Sequence, residues 1–295
     1  MTLVLNFESI SLKKQAEYSE YLATCSQKVS DYSFINLWGW AKEHGLEWAW
    51  TDDLVWIRQT VPQTRYWAPV GRWKGIDWKS CLDEFNGTQV RFIRIPEKLL
   101  RSWKESCGDR IKIAEERGSW DYIYSVAELS KLAGKRFHKK KNLLNQFKKK
   151  YDFKYISFDS EMIDKAMSMQ QDWCTWRDCE SSEALTAENN AISRILINWE
   201  RLNGLVGAAI IVNETMAAYT VAESLSKDML LIHFEKGNPD FKGIYQAINQ
   251  MFLQNSAQNH KVVNREQDLD NEGLRKAKLS YHPVGFLKKY AVTLL

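Results

Sequence analysis

The sequence predicts an α+β fold built twice over, each half a mixed, mostly antiparallel sheet flanked by helices. Three observations carry that expectation. Apolar residues switch repeatedly between helical spacing and strict alternation. The order helix, helix, three strands, helix, strand, helix, strand recurs loosely along the chain, with no residue-level repeat beneath it. Finally, 295 residues suffice for two domains of roughly 100–200 residues, each with its own core.

In the first half, residues 11–24 carry Leu12, Ala16, Tyr18 and Leu22 at mixed helical spacing. Residues 33–44 place Phe34, Leu37, Trp38 and Ala41 on one side of a second helix, with Ser30 or Asp31 as its expected cap. The period then drops to two. Leu46, Trp48 and Trp50 share one face of a strand that turns at Asp52-Asp53, and strands follow at 54–60 and 65–68. A helix at 78–85, a strand at 89–95, a helix at 97–106 and strands at 112–116 and 120–124 complete this half.

Residues 127–151 read as one basic helix, with Phe137, Leu144, Phe147 and Tyr151 on its apolar side. Beyond it come a strand at 153–158, helices at 160–176 and 183–202, and strands at 205–212, 216–222 and 229–234. A helix at 241–257, a strand at 261–265, a helix at 270–280 and a strand at 286–294 close the chain. The expected domains are therefore 1–125 and 126–295, the second opening on the basic linker helix 127–151.

Composition narrows the classes of function. Apolar residues at 44% and charged residues at 26% are ordinary for a soluble globular protein, and a net charge of +4 demands no polyanionic partner. No run of about 18 apolar residues spans a bilayer, and residues 1–14 lack the apolar core of a signal peptide. A lipid substrate would thus be met from the water side. Eight of the thirteen tryptophans precede residue 80, which predicts an aromatic-rich core, a wall that stacks a ligand being the alternative. Cys25, Cys81, Cys107, Cys174 and Cys179 are odd in number and scattered, with no Cys-x-x-Cys pair. Neither a metal site nor a disulfide framework is expected, and the cytoplasm is the expected compartment.

The residues suited to chemistry concentrate after residue 220. Phe234-Glu235-Lys236-Gly237 closes a strand, Asn238-Pro239-Asp240 turns, and Lys242-Gly243 opens a helix. Amide N–H groups at a helix N-terminus favour an anion, and a glycine there lets a phosphate approach. Lys236, Lys242 and Gly243 are thus candidates for a phosphate-bearing ligand, a plain turn being the alternative. Leu231, His233 and Glu235 share a strand face, so Glu235, His233 and the neighbouring strand's Glu223 are candidate bases for an amine nucleophile. The alternative is a solvated carboxylate at a strand end. Glu266, Asp268 and Asp270 form an acidic group suited to the start of the next helix. Tyr281 stands four residues before Gly285-Phe286 and is a neutral donor at pH 7, able to protonate a departing thiolate or to finish a core helix. The strongest charge feature is Lys135, Arg136, Lys139, Lys140 and Lys141 with Lys148, Lys149 and Lys150. It is either a solvated face or a surface for the phosphates of tRNA, coenzyme A or an anionic membrane.

The run from Asn264-Arg265-Glu266-Gln267-Asp268 through Gly273 to Tyr281 and Gly285-Phe286 resembles the second half of an acyltransferase domain of the GCN5-related N-acetyltransferase type. Further blocks extend the resemblance: Ser30-Asp31 with Phe34, Asn36-Leu37 and Trp40, and Asp121-Tyr122-Ile123-Tyr124 with Leu129, Leu132, Gly134-Lys135 and Lys139 to Asn142. Together with Lys276 to Tyr281 they resemble a bacterial family named for the C-terminal domain of phosphatidylglycerol lysyltransferase, over essentially the whole chain. The resemblance implies two tandem domains of that acyltransferase fold. It implies transfer of an acyl or aminoacyl group, from a coenzyme A thioester or an aminoacyl-tRNA, to an amine or hydroxyl. No tightly bound cofactor and no covalent enzyme intermediate are implied. The donor would be held by Lys236, Lys242, Gly243 and Asn264, although the arginine-glycine-x-glycine run usual in acetyltransferases is missing. Tyr281 would protonate the leaving group. A non-catalytic module binding RNA or a phosphorylated ligand is the alternative on the same scaffold. The transferase expectation requires the C-terminal strand–helix–strand to open a cleft with amides and the phenol pointing inward.

Overall fold

In a computed structural model, residues 4–85 and 90–295 are described, so Gln89, the expected start of one strand, lies outside them. The chain forms two compact units. Unit 1 holds residues 1–121, 267–271 and 286–295; unit 2 holds 122–266 and 272–285. No helix among the described residues is long and apolar enough to cross a membrane.

Unit 1 contains β1 (Glu8–Ser9), α1 (Gln15–Thr24), α2 (Phe34–His44), β2 (Leu46–Trp50), β3 (Leu54–Gln59), β4 (Arg65–Trp67), β5 (Val70–Gly71), α3 (Trp78–Asp83), β6 (Arg91–Pro96), α4 (Glu97–Cys107) and β7 (Ile111–Glu115). Ser33, rather than Ser30 or Asp31, caps α2 by accepting from Asn36 N at 3.2 Å. The helix stops at Gly45, whose φ of +56° and closeness to Thr60 exclude a side chain. The tryptophans do form a core: Trp56, Trp78 and Trp103 are fully buried beside Phe85 and Phe92, with Trp78 and Trp103 ring centres 5.6 Å apart, and Trp48 is fully buried against Tyr18 and Phe34.

Unit 2 contains β8 (Asp121–Ser125, its first residue counted with unit 1), α5 (Val126–Lys131), α6 (His138–Lys150), β9 (Phe153–Ser157), α7 (Ser160–Arg177), α8 (Glu183–Ile197), β10 (Leu205–Val212), β11 (Thr215–Ser226), β12 (Met229–Gly237), α9 (Ile244–Ser256), β13 (Val262–Asn264) and α10 (Glu272–Leu279). The chain ends with β14 (Gly285–Leu287) and β15 (Lys289–Leu294). The expected single basic helix is two, because Leu132 and Gly134 take φ of +45° and +87° and break the ladder between them. Ser125 caps α5 through Glu128 N, and Phe137, Leu144 and Phe147 bury the apolar side of the segment as the wheel predicts. Where no disulfide framework is expected, one bridge is present. Cys174 and Cys179, five residues apart, are joined across the left-handed Asp178 that ends α7, with Cα atoms 5.0 Å apart.

The two sheets share a plan. The first runs β1-β2-β3-β4-β6-β15-β7 and the second β9-β10-β11-β12-β13-β8-β14. Each has one parallel pair joined through a helix, β4 with β6 and β12 with β13. In each, the strand beside that pair comes from the other half of the sequence: β15 ladders to β6 and β7, and β8 ladders to β13. A single cut after residue 125 therefore does not separate the units, because residues 286–295 belong with the first.

Lys289 explains where β15 goes. Its ammonium is fully buried, 2.7 Å from Asp121 Oδ1 and paired with Asp31, which also pairs with Arg94. Ser30 donates to Asp121 through N at 2.8 Å and Oγ at 2.7 Å. Removing one member of such a buried cluster leaves uncompensated charge. Lys289→Met should therefore cost roughly 3–5 kcal/mol, read by urea unfolding followed by tryptophan fluorescence. A loss below about 1 kcal/mol would show that the cluster does not hold the strand.

Candidate active site

The site is built where two parallel strands part. β12 and β13 are paired only from Met229 opposite Val262 to Leu231 opposite Asn264, while β12 runs on to Gly237. Beyond Leu231 the wedge between them is filled by side chains. A bulge in the β11–β12 ladder leaves His233 with no residue opposite it, between Ile232 facing Ala222 and Phe234 facing Val221. On the other side Asn264, fully buried, accepts from Glu266 N at 2.8 Å and holds Glu266 at a φ of +55°.

Arg265 projects into this wedge. Its Nη2 donates to Glu235 Oε1 at 2.9 Å, and Asn249 of α9 donates to Glu235 Oε2 at 2.9 Å. The guanidinium carbon lies 4.8 Å from the ring centre of Tyr281, whose hydroxyl accepts from Gln246 Nε2 at 3.1 Å. Lys140 of α6 lies over the same ring at 4.1 Å. Burial raises the Tyr281 pKa against the opposing pull of Arg265, so the phenol keeps its proton at neutral pH. Burial and the nearby Arg265 charge lower that of Lys140.

A second cluster adjoins on β12. Glu223 Oε1 lies 3.2 Å from His233 Nε2, and Glu266 Oε1 lies 3.3 Å from Nδ1. Burial alone would favour the neutral imidazole, but the two carboxylates outweigh it and raise the pKa to about 9. His233 is therefore a cation at neutral pH and a poor base.

Sequence reasoning assembled part of this group. Glu235 and Tyr281 meet through Arg265, and Glu223 joins His233. Lys236 does not join them. It faces α7 and α8, 2.7 Å from Glu188 and 3.7 Å from the Trp173 ring centre, with its pKa lowered by burial. Lys242 is exposed. Gly243 has a φ of +90°, and a Cβ there would meet the Leu143 carbonyl oxygen at 2.3 Å, so glycine is required by packing of α9 on α6. Asn264 braces the backbone. Of the basic run, Lys135, Lys139, Lys141 and Lys149 are exposed, Arg136 pairs with Glu128, and Lys140 alone turns toward Tyr281. The expected open cleft is absent at the phenol, since Tyr281 is only 6% exposed and covered by Lys140 and Arg265. Arg265, Gln246 and Asn249 were missed. Arg265 stood in the most specific block, but only the divergence of β12 and β13 gives it an inward place.

A family profile described as phosphatidylglycerol lysyltransferase, C-terminal, matches residues 22–293. A crystal structure of a conserved protein of unknown function from Bacteroides thetaiotaomicron is 28% identical, with a TM-score of 0.91 over 99% of this chain and 100% of that one. The structure of L-PGS from Bacillus licheniformis superposes with a TM-score of 0.66 at 14% identity, over 97% of this chain and 92% of that one. An uncharacterized protein of Mycoplasmoides gallisepticum is 24% identical over 218 residues, 74% of this chain and 69% of its own length.

The His233 cluster predicts a pH dependence with a definite sign. A pKa raised from 6.5 to about 9 contributes stability that is full below pH 6.5 and is lost as pH rises through about 9. The stability of the wild type relative to His233→Gln should therefore shrink across that window in urea titrations. A constant difference from pH 6 to 10 would contradict the assignment.

Proposed function

The chain belongs to the phosphatidylglycerol lysyltransferase C-terminal family, proteins of an acyl- and aminoacyl-transferring kind, and on that premise we propose that unit 2 carries the transfer. The supporting observation is the buried Arg265–Glu235 pair set against Tyr281 in the wedge between β12 and β13. Open parallel strands place ligands at their carboxyl ends, and this is such an end. The corresponding pair in unit 1 is packed with rings instead: Tyr66, Phe85 and Phe92 have centres 4.8–5.4 Å apart.

The proposed reaction moves an acyl or aminoacyl group from a phosphate-bearing donor to an amine or hydroxyl. The acceptor attacks the carbonyl carbon and its proton passes to Glu235, which Arg265 and Asn249 keep oriented. As the tetrahedral adduct collapses, the bond to the donor breaks and the leaving oxygen or sulfur takes the Tyr281 proton. Arg265 balances negative charge on either side of that collapse. The phenol is covered in this structure, so the cleft that transfer requires opens only when the half-buried Lys140 side chain swings aside to admit the donor.

Of the two donors, aminoacyl-tRNA is favoured over acyl-coenzyme A by the exposed Lys135, Lys139, Lys141 and Lys149. Tyr281→Phe should lower turnover by about a hundredfold. Glutamate substitutions at Lys139 and Lys149 should weaken tRNA binding and flatten its salt dependence. Calorimetry with bulk tRNA and with coenzyme A, paired with transfer assays to amine and hydroxyl acceptors, checks both. Tight tRNA binding without transfer would favour a binding module, and failure of both donors would end the proposal.

A further inference from the structure

Tyr281 lies against two cations. Arg265 and Lys140 lie 4.8 and 4.1 Å from its ring centre, and the ammonium of Lys278 bonds the backbone carbonyl of Arg265. Glu235 answers Arg265 through Nη2. Glu223 and Glu266 are engaged by His233. Among the described residues no carboxylate pairs with Lys140, although its pKa is lowered by burial and by Arg265. The other terminal nitrogen of the guanidinium, Nη1, is buried without a hydrogen-bond partner. A buried donor left without an acceptor costs about 1–3 kcal/mol, more when it is charged. The phenol adds a third donor, since Tyr281 Oη accepts from Gln246 and keeps its own proton to give.

We infer that the hydroxyl edge of Tyr281 is a binding site for an oxyanion, held by Arg265 Nη1, Lys140 Nζ and the phenolic O–H. Both cations lie within 5 Å of the ring centre, so an anion accepting the phenolic proton at the ring's edge would be close to them. It would supply the acceptor that Nη1 lacks and the countercharge that Lys140 lacks. The ligand class is a phosphate or carboxylate group. This deepens the transfer proposal, and equating the anion with part of the donor rests on that proposal. The site itself stands on the donors alone.

The test titrates inorganic phosphate, and separately acetate, into the full chain by calorimetry at low salt. Lys140→Gln should weaken binding by about tenfold, the worth of one charge-assisted hydrogen bond. Lys140→Arg should restore most of it, and Lys104→Gln, which removes an exposed charge of α4, should change nothing. Glu235→Gln should tighten binding by removing the competing carboxylate, a gain that misfolding cannot imitate. Binding of phosphate alone assigns the site to phosphoryl groups, and binding of acetate assigns it to carboxylates; either supports it. Binding of neither, or binding unchanged in Lys140→Gln, overturns it. Phosphate binding in a protein that transfers nothing would leave this site standing while the transfer proposal fell.

Discussion

A lysine with no exposure to solvent governs how this chain divides. The ammonium of Lys289 lies between the carboxylates of Asp31 and Asp121, and such a charge persists in an interior only when fully paired. Because Lys289 opens β15, satisfying it commits the last strand to unit 1, between β6 and β7. The equivalent place in unit 2, beside β13, goes to β8. The first residue of β8 is Asp121 itself. One short strand thus gives its carboxylate to one unit and its ladder to the other.

With β8 on its outer side, β13 is short, and its parallel pairing with β12 covers only the start of the longer strand. The space left over is where the two units part in character. In unit 1 the matching position is closed by aromatic rings. In unit 2 it holds Arg265, Glu235, Tyr281 and Lys140, a group too polar to serve as packing and buried enough for each charge to act strongly on its neighbours.

Much of this was legible along the chain. The alternation Leu46, Trp48, Trp50 marked β2, and the wheel through Phe137, Leu144 and Phe147 marked the buried side of α5–α6. What periodicity could not show was the break at Leu132 and Gly134, where the apolar pattern continues although the backbone does not. Nor could it show the bridge between Cys174 and Cys179, which depends on the reversal at Asp178. Lys236 and Gly243 illustrate the same limit. A lysine at a strand end and a glycine at a helix start suit a phosphate in sequence, but one faces Trp173 and the other packs on Leu143.

The sequence by itself determined the element types, their repeated order, the aromatic core and the family, because those follow from local spacing and from residue identities in runs. It also singled out Tyr281 and Glu235, since a phenol before Gly-Phe and a carboxylate at a strand end are local patterns. Only the tertiary structure decided which strands each unit owns, that Arg265 joins those two residues, and that Lys140 leaves its exposed neighbours to cover the ring. Those outcomes depend on which distant segments share a ladder and where that ladder stops. Hydrogen bonding between strands is indifferent to their separation in sequence, so no local pattern records it.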